Sequence, residues 1–194
     1  MMQHIDYDIQ AIISQPHIAE PLERFSNILL QWAKIHNLTA IKDSKELYHQ
    51  IADSLLPISF LKPFHTCIDI GSGAGFPALI LACYYTDSKF YLLEPRKKRV
   101  SFLENAIISM GLSHVKVIAD YSYNVKDIKG DLITSRAVCR SDTLVRDSRH
   151  LLESSGHYLL YKGTNTANEK DLLDDMQTQI FTNTNRTYIY ASFV

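Results

Sequence analysis

The sequence is poor in several features that would mark particular classes of protein. Its three cysteines, Cys67, Cys83 and Cys139, are widely spaced and lie in apolar segments. An odd number without short paired spacing argues against a disulfide framework and against a zinc site, and it favours a reducing compartment. No apolar run approaches the roughly 20 residues that span a bilayer. The N-terminus has neither the basic nor the apolar region of a signal peptide, so we expect a cytoplasmic protein that does not bind membranes.

The sequence also lacks an excess of charge of one sign. Its formal net charge is −1 and its pI is near 6.7, so no general positive field would draw nucleic acid to it. An RNA partner would have to be bound through local basic patches or as part of a protein-bound substrate. The eight histidines show no metal-ligand spacing, and no pattern resembles a nucleophile with its base. We expect neither a metal site nor covalent catalysis.

Glycine is scarce, with seven in 194 residues, and three of the seven lie in one short stretch. The apolar run Cys67–Ile70 leads into Gly71, Gly73 and Gly75, and a helix is expected from Pro77. A strand, a glycine turn and a helix are how a βαβ unit presents backbone N–H groups to a nucleotide-like ligand. An ordinary tight turn between a strand and a helix is the alternative interpretation.

Three residues near the glycines favour one ligand over others. Phe76 stands where the dinucleotide fingerprint has its third glycine. Asp69 precedes the loop, where its carboxylate would repel a pyrophosphate but suits a ligand with an ammonium group. Glu94 lies 23 residues after Gly71 at the end of the next apolar run, where a ribose hydroxyl needs an acceptor. The pattern favours S-adenosylmethionine. A binding module without turnover stays open, and a nicotinamide-dependent oxidoreductase is a weaker alternative.

The N-terminal third of the chain is predicted to be helical. Apolar residues recur at helical spacing over residues 21–37, and Asp43 or Ser44 is positioned to cap a further helix that Pro57 ends. We expect a helical N-terminal extension over residues 1–62 that packs on the remainder to form one compact unit.

Residues 63–194 are predicted to form an α/β core. Short apolar strands alternate with helices, which predicts a mostly parallel sheet with helices on both faces. Gly111 and Gly156 are expected to follow helix ends. The predicted strands are Thr66–Ile70, Lys89–Glu94, Val115–Ile118, Asp131–Thr134, Tyr158–Lys162 and Tyr188–Phe193, and the predicted helices are Pro77–Tyr85, Arg96–Met110, Ser141–Glu153 and Ala167–Thr178.

Several stretches together resemble one family, the guanine-N7 methyltransferases of small-subunit ribosomal RNA, also called the glucose-inhibited division protein B family. The glycine loop alone would indicate only the methyltransferase superfamily, whereas the combination is specific. The chain departs from the family pattern at His49-Gln50, where the family has Arg-His, and at Tyr121 and Tyr123, where it has Arg and Glu. The matching stretches follow the family's order and are Trp32–Thr39, Asp53-Ser54, Asp69–Pro77, Lys98–Leu103, Thr134–Ala137 and Lys162-Gly163.

The resemblance implies a Rossmann-like S-adenosylmethionine-dependent methyltransferase fold. It implies a monomer that methylates N7 of a guanine in 16S ribosomal RNA, within the small subunit or an assembly intermediate. It also implies that Phe76, Ser122 and Tyr123 contact the cofactor, the last two on the adenine side. The complete set of predicted cofactor-binding residues is Asp69, Gly71, Gly73, Gly75, Phe76, Glu94, Ser122, Tyr123 and Arg136.

Arg136 is the predicted positioning residue for the RNA. It follows a predicted strand at the carboxyl edge of the sheet, and its fork of donors suits guanine O6 or a phosphate, with a secondary contact to the cofactor. Guanine N7 carries an in-plane lone pair, so the transfer needs alignment and no general base. Surface ion pairs or solvated faces are the alternative roles for the cations. Further RNA contacts are predicted at Arg96, Lys97, Lys98, Arg99, Arg140 and Lys162.

Overall fold

One mixed sheet organises the chain in this computed structural model, which describes residues 2–5, 7–36, 38–136, 138–163, 173 and 175–193. Within those residues eight strands follow the order β1-β7-β8-β6-β5-β2-β3-β4. All neighbouring pairs are parallel except those of β8, which is antiparallel to β6 and to β7. The strands are β1 (Met2–His4), β2 (Thr66–Ile70), β3 (Lys89–Leu93), β4 (Val115–Ile118), β5 (Gly130–Arg136), β6 (Leu152–Lys162), β7 (Met176–Thr182) and β8 (Thr187–Phe193).

The strand order reverses at β2, and this creates the place where a ligand can bind. From β2 the chain moves outward through β3 to β4, and it then returns to the other side of β2 as β5. Crossovers that leave in opposite directions open a crevice beyond the carboxyl ends of the strands. The residues that follow β2, β3, β4 and β5 therefore meet at one edge of the sheet.

Helices pack on both faces of the sheet, and its central strands are therefore buried on both sides. Cys67 and Leu92 face one apolar cluster, while Ile68 and Leu93 face the other, as the two-residue period of a strand requires. The described helices are α1 (Ile9–Ile13), α2 (Pro16–His36), α3 (Ser44–Leu55), α4 (Ala78–Tyr84), α5 (Lys97–Met110) and α6 (Ser141–Ser148), with 3-10 turns at Leu56–Ser59, Ser122–Asn124 and Arg149–Leu151.

The N-terminal helices share a buried cluster with the core. Phe25 of α2 packs edge to face on Phe76, with ring centroids 5.3 Å apart. Trp32 packs on Phe102 of α5 in the same way at 5.5 Å. These aromatic contacts pack α2 against the loop before α4 and against α5. The division of the chain at residue 62 stays a prediction. None of the described helices has the length and apolar character needed to cross a bilayer.

Most predicted elements are confirmed, and the capping signals explain their ends. Asp43 caps α3, since its carboxylate accepts a hydrogen bond of 2.8 Å from the N–H of Glu46. Gly111 ends α5 in the left-handed conformation, with φ of 74°. The other predicted strands and helices of the core are found with shifts of at most two residues at their ends, apart from the errors described below and from the strand predicted at Tyr158–Lys162, which begins six residues earlier, at Leu152.

The largest error concerns the predicted helix Ala167–Thr178. Met176, Gln177 and Thr178 belong to β7, which lies between β1 and β8, and most of the remaining residues of that prediction lie outside the described residues. The segment forms a strand because its backbone pairs with β1 on one side and with β8 on the other, and its buried side chains Met176 and Phe181 belong to different apolar clusters.

Three smaller predictions were also wrong. Residues 2–4 form β1 and pair with β7, although a helix was expected there. The helix predicted over Ser141–Glu153 ends at Ser148, and the chain enters β6 at Leu152. Gly156 lies inside β6, where a Cβ atom would come within 2.7 Å of Leu152 Cδ1, so close packing requires the glycine there.

Candidate active site

A cavity of about 620 Å³ opens at the carboxyl edge of the sheet, where the strand order reverses. Its volume is within the range of about 300–1,000 Å³ typical of sites for small molecules. Four segments line it: the glycine loop after β2, the residues after β3, the turn after β4 and the end of β5. Leu38 and Thr39 from the N-terminal part, together with Leu144 and Asp147 of α6, complete its walls.

The glycine loop is held against β3 by its own backbone. The N–H groups of Gly71 and Ser72 both donate to the carbonyl of Leu93, at 2.8 and 3.2 Å. At Gly71 φ is 70°, a conformation that favours glycine, and a Cβ atom would lie 2.5 Å from Val138 Cγ2, so a side chain there would also displace Val138. At Gly73, where φ is 57°, a Cβ atom would meet nothing closer than 3.6 Å. Gly73 therefore leaves space on the cavity side that a side chain would occupy.

Gly75 differs from the other two glycines because it is not among the residues that line the cavity. Its φ is 90°, and a Cβ atom there would lie 2.5 Å from Leu79 Cδ1. The residue thus allows the loop to turn closely onto α4. Phe76 follows with its ring buried, and it lines the cavity.

Glu94, which directly follows β3, holds the glycine loop in place through a hydrogen bond. Its side chain is buried, and Oε2 accepts a hydrogen bond of 3.0 Å from the N–H of Gly73. The other oxygen, Oε1, accepts from the N–H of Arg96 at 3.0 Å, and Arg99 Nη1 lies 3.7 Å from Oε2. A carboxylate has about four lone-pair sites, so two further donors such as ribose hydroxyls can still be accepted.

Asp69 lies behind the loop, and its carboxyl group is not among the groups that line the cavity. Oδ1 accepts a hydrogen bond of 2.7 Å from the Thr134 hydroxyl, whereas the buried Oδ2 has no hydrogen-bond partner among the residues that the structure describes. Burial raises the pKa of Asp69 from 3.8 to about 6, against the opposing effects of hydrogen bonds and of Arg136. The position fits a residue that supports the loop from below.

Arg136 is held by helix α3 and not by the sheet that carries it. Its Nη1 donates to Gln50 Oε1 at 2.7 Å and lies 3.6 Å from Asp53 Oδ2. The guanidinium also lies over the ring of Phe76, 4.7 Å from the centroid. Burial lowers the pKa of Arg136, and the nearby Asp53 opposes that change. Helix α3 thus fixes a partly buried cation in the wall of the cavity.

Asp53 ties this cation to the C-terminal strand. Its Oδ1 accepts from the Tyr188 hydroxyl at 2.8 Å, and Arg186 Nη2 lies 3.1 Å from Oδ2. Gln50, Asp53 and Arg186 were not predicted as site residues. Asp53 belongs to a stretch that resembles the family, but the residue pattern contained no signal that linked it to Arg136.

The turn after β4 presents two tyrosines on the outside and a serine on the inside. Ser122 is buried, whereas Tyr121 and Tyr123 are 52% and 53% exposed. The two rings are stacked, with centroids 5.2 Å apart and an angle of 13° between their planes. Asp120 holds the turn, since its Oδ1 accepts from the N–H of Tyr121 and from Asn124 Nδ2, both at 2.7 Å. All four residues from Asp120 to Tyr123 line the cavity.

The predicted RNA-binding cations are divided between the cavity and the surface. Arg96 and Arg99 line the cavity, whereas the other four do not. Arg140 forms an exposed ion pair with Asp142 at 3.2 Å, and Lys162 Nζ donates to the carbonyl of Cys139 at 3.2 Å. Lys97 and Lys98 are exposed on the first turn of α5. The described residues include no group of His, Cys, Asp and Glu that could hold a metal ion.

Comparison with known proteins decides the family. The model of the family described as rRNA small subunit methyltransferase G matches residues 18–189. The chain belongs to this family. A Wolinella succinogenes protein named Ribosomal RNA small subunit methyltransferase G is 43% identical over 166 residues, which are 86% of this chain and 82% of the relative. A Helicobacter pylori protein of the same name is 40% identical over 172 residues, 88% of this chain and 95% of the relative. The resemblance of the sequence motifs is thereby confirmed.

Solved structures confirm the predicted fold class. A methyltransferase from Pyrococcus furiosus matches with a TM-score of 0.62 at 13% identity, over 89% of this chain and 98% of that protein. A variant of MtNAS in complex with S-adenosylmethionine matches with a TM-score of 0.63 at 10% identity, over 97% of this chain and 84% of that protein. At such low identity the likeness concerns the Rossmann-like fold alone.

Proposed function

We propose that this protein transfers the methyl group of S-adenosylmethionine to N7 of a guanine in 16S ribosomal RNA. The observation that carries the proposal is the family match over residues 18–189. The cavity supports it, because Gly73 and Glu94 present an open backbone and a buried carboxylate at the edge where such folds bind nucleoside-like ligands. Phe76 in place of a third fingerprint glycine disfavours a nicotinamide cofactor.

The chain has residues suited to each part of this cofactor. Glu94 accepts the ribose hydroxyls, and the buried Ser122 turn contacts the adenine side. Asp69 and Gly75 act from behind the loop by keeping its shape. The cavity-lining members of the proposed set form the direct contacts, Tyr123 through its backbone, and they are Gly71, Gly73, Phe76, Glu94, Ser122, Tyr123 and Arg136.

The reaction asks the protein for alignment. In the transfer, the N7 lone pair of guanine forms the new C–N bond while the C–S bond of the sulfonium breaks and its electron pair stays on sulfur as S-adenosylhomocysteine. Because N7 bears no proton before the attack, no side chain has to act as a general base. Arg136 positions the guanine, since its partly buried guanidinium is fixed through Nη1 by Gln50 and Asp53 and has further N–H donors that match O6 or a phosphate oxygen.

The substrate is the small ribosomal subunit or one of its assembly intermediates, and the protein acts as a monomer in the cytoplasm. The relatives named Ribosomal RNA small subunit methyltransferase G support the RNA class. With a net charge of −1, the protein must rely on local contacts to the phosphates. Those contacts come from Arg96 and Arg99 at the cavity and from Lys97, Lys98, Arg140 and Lys162 around it.

The test is methyl transfer to small subunits purified from a strain that lacks the gene. We expect radioactive methyl groups from S-adenosylmethionine to enter the RNA at a guanine that becomes sensitive to reduction and aniline cleavage, which detects N7 methylation. Binding of S-adenosylhomocysteine without any methyl incorporation would instead indicate a binding module. Calorimetric binding of NAD and not of S-adenosylhomocysteine would indicate an oxidoreductase.

A further inference from the structure

We propose that the stacked rings of Tyr121 and Tyr123 form a platform on which a base of single-stranded RNA stacks next to the target guanine. The inference rests on the proposed function for its substrate, and it adds a contact that depends on these two side chains. Both tyrosines stand at positions where the sequence departs from the family pattern, so the platform is a feature of this chain.

The turn after β4 presents its two tyrosine rings outward and its serine inward. Ser122 is buried and lines the inner cavity, whereas the tyrosines on either side of it are each about half exposed. A stacked pair covers one face of each ring and leaves the outer faces open. Tyrosine rings left this exposed beside a site offer a surface for a flat, apolar ligand, and every nucleobase has such a face.

Hydrogen bonds within the turn fix the two rings in place in the absence of a ligand. Asp120 accepts hydrogen bonds from the backbone of Tyr121 and the side chain of Asn124, both at 2.7 Å. The N–H of Asn124 donates to the carbonyl of Tyr121 at 3.1 Å and closes the 3-10 turn. With the rings stacked at 5.2 Å on this fixed turn, stacking of a base costs little further ordering.

Positively charged side chains lie around the rings, and they favour RNA as the ligand that stacks on them. Arg96 and Arg99 line the same cavity as the two tyrosines, and exposed Lys97 and Lys98 continue the positive run along α5. Aromatic rings beside a basic track are the combination with which proteins hold single-stranded nucleic acid. The adenine contact proposed for this turn falls to its inner side, where Ser122 is buried and lines the cavity, and this leaves the exposed rings for RNA.

The probe for the test is a short single-stranded RNA with 2-aminopurine next to a guanine, titrated in the presence of S-adenosylhomocysteine. The fluorescence of 2-aminopurine is quenched when the base stacks. The double variant Tyr121→Leu/Tyr123→Leu keeps apolar side chains but has no rings, and Tyr121→Phe/Tyr123→Phe keeps the rings. Tyr7→Leu is the matched control, because Tyr7 is 42% exposed and does not line the cavity.

We expect the wild type, the double Phe variant and the Tyr7 control to quench the probe and to bind it equally. The double Leu variant should lose the quenching and about tenfold in RNA affinity, within the range measured for base stacking on aromatic residues. Its dissociation constant for S-adenosylhomocysteine should stay within about twofold of wild type, because the cofactor contact proposed for Tyr123 is made by its backbone, and its KM for small subunits should rise. The salt dependence of RNA binding should not change, because no phosphate contact is removed.

Equal RNA affinity and equal quenching in the wild type and the double Leu variant would overturn the platform. So would weaker binding of S-adenosylhomocysteine with unchanged RNA affinity, since the rings would then serve the adenine. Quenching by a wild-type protein that transfers no methyl group would refute the proposed function and leave the platform intact. Full activity of the double Leu variant on subunits, with no quenching by the wild type, would refute the platform and leave the proposed function intact.

Discussion

The floor and the rim of the cavity are built in different ways. The floor consists of the loop Gly71–Phe76, Glu94 and Arg136, which are buried or half-buried and whose polar groups are engaged by backbone or side-chain partners. The rim consists of Arg96, Tyr121 and Tyr123, which are exposed. A floor of this kind has its geometry before any ligand binds, whereas the rim keeps free surface for a large partner. We therefore expect substitutions in the floor to act on the cofactor and substitutions in the rim to act on RNA, with Arg136 as the member of the floor that serves both.

The largest expected effect is that of Gly73→Val in the floor. Its branched side chain would enter the space on the cavity side of the loop, and we expect a loss of affinity for S-adenosylhomocysteine of at least about a hundredfold, or about 2.7 kcal/mol. Calorimetry checks it. Gly111→Val is the matched control, because Gly111 also has positive φ and a Cβ atom there would meet nothing within 4 Å, but it lies at the end of α5. Affinity that is unchanged in Gly73→Val, or equally reduced in the control, would refute the assignment of the loop.

Glu94→Ala should have the next largest effect. It removes the acceptor proposed for the ribose and leaves the N–H groups of Gly73 and Arg96 without their partner, so we expect S-adenosylhomocysteine to bind about 1–3 kcal/mol more weakly. Asp131→Ala is the control, since Asp131 also accepts two backbone hydrogen bonds, from His65 and Thr66, but does not line the cavity. Titration of both variants gives the comparison. An unaltered dissociation constant in Glu94→Ala would move the ribose contact elsewhere.

Arg136 tests whether the floor also serves the RNA. Arg136→Ala should lower methyl transfer to small subunits by at least about tenfold, or 1.4 kcal/mol, and Arg136→Lys should recover little because a point charge cannot replace the fork. Gln50→Ala leaves the guanidinium in place but removes an oxygen that holds it, so its effect should be smaller. Steady-state kinetics with thermal unfolding as a folding control would measure this series.

Two outcomes would change the role of Arg136. Full activity of Arg136→Lys would leave only a simple electrostatic role. Loss of S-adenosylhomocysteine affinity in Arg136→Ala, with KM for the subunit intact, would reassign the residue to the cofactor alone.

The smallest expected effect is the pH dependence of the unfolding free energy that comes from Asp69, whose carboxyl group lies beneath the floor. Burial raises the pKa of Asp69 to about 6, so the folded protein holds a proton that the unfolded chain releases from about pH 4 upward. This group's contribution to the unfolding free energy is therefore full below about pH 4 and is lost as the pH rises through about 6. Asp69→Asn cannot titrate and should gain stability relative to wild type over that interval.

Urea unfolding of both proteins at about pH 4 and about pH 7 measures that gain. Thr134→Val sharpens the test, because it removes the hydroxyl that stabilises the carboxylate and should extend the interval upward in pH. A stability difference between wild type and Asp69→Asn that stays constant with pH would contradict the raised pKa.

Much of the floor was predictable because its signals are local. The strand Thr66–Ile70 and the glycines after it follow one another directly along the chain, and Glu94 ends the next strand in a parallel sheet. Parallel pairing then brings Gly73 and Glu94 together without any further information. The error at Met176–Thr178 has the opposite cause, since partner strands distant in the sequence decided the structure of that segment.

The sequence by itself determined the alternation of strands and helices and the glycine loop, because each of these depends on spacing within a short segment. It also indicated the family, and thus the class of ligand, through the combination of several short motifs between residues 32 and 163. Only the tertiary structure decided what holds Arg136. Gln50 and Asp53 lie more than eighty residues before it, and Arg186 lies fifty residues after it. Their meeting depends on how α3 packs against the sheet and on the place of β8, which follows Arg186, within that sheet. The same holds for the exposed stack of Tyr121 and Tyr123, because the exposure of a side chain depends on everything that is folded around it.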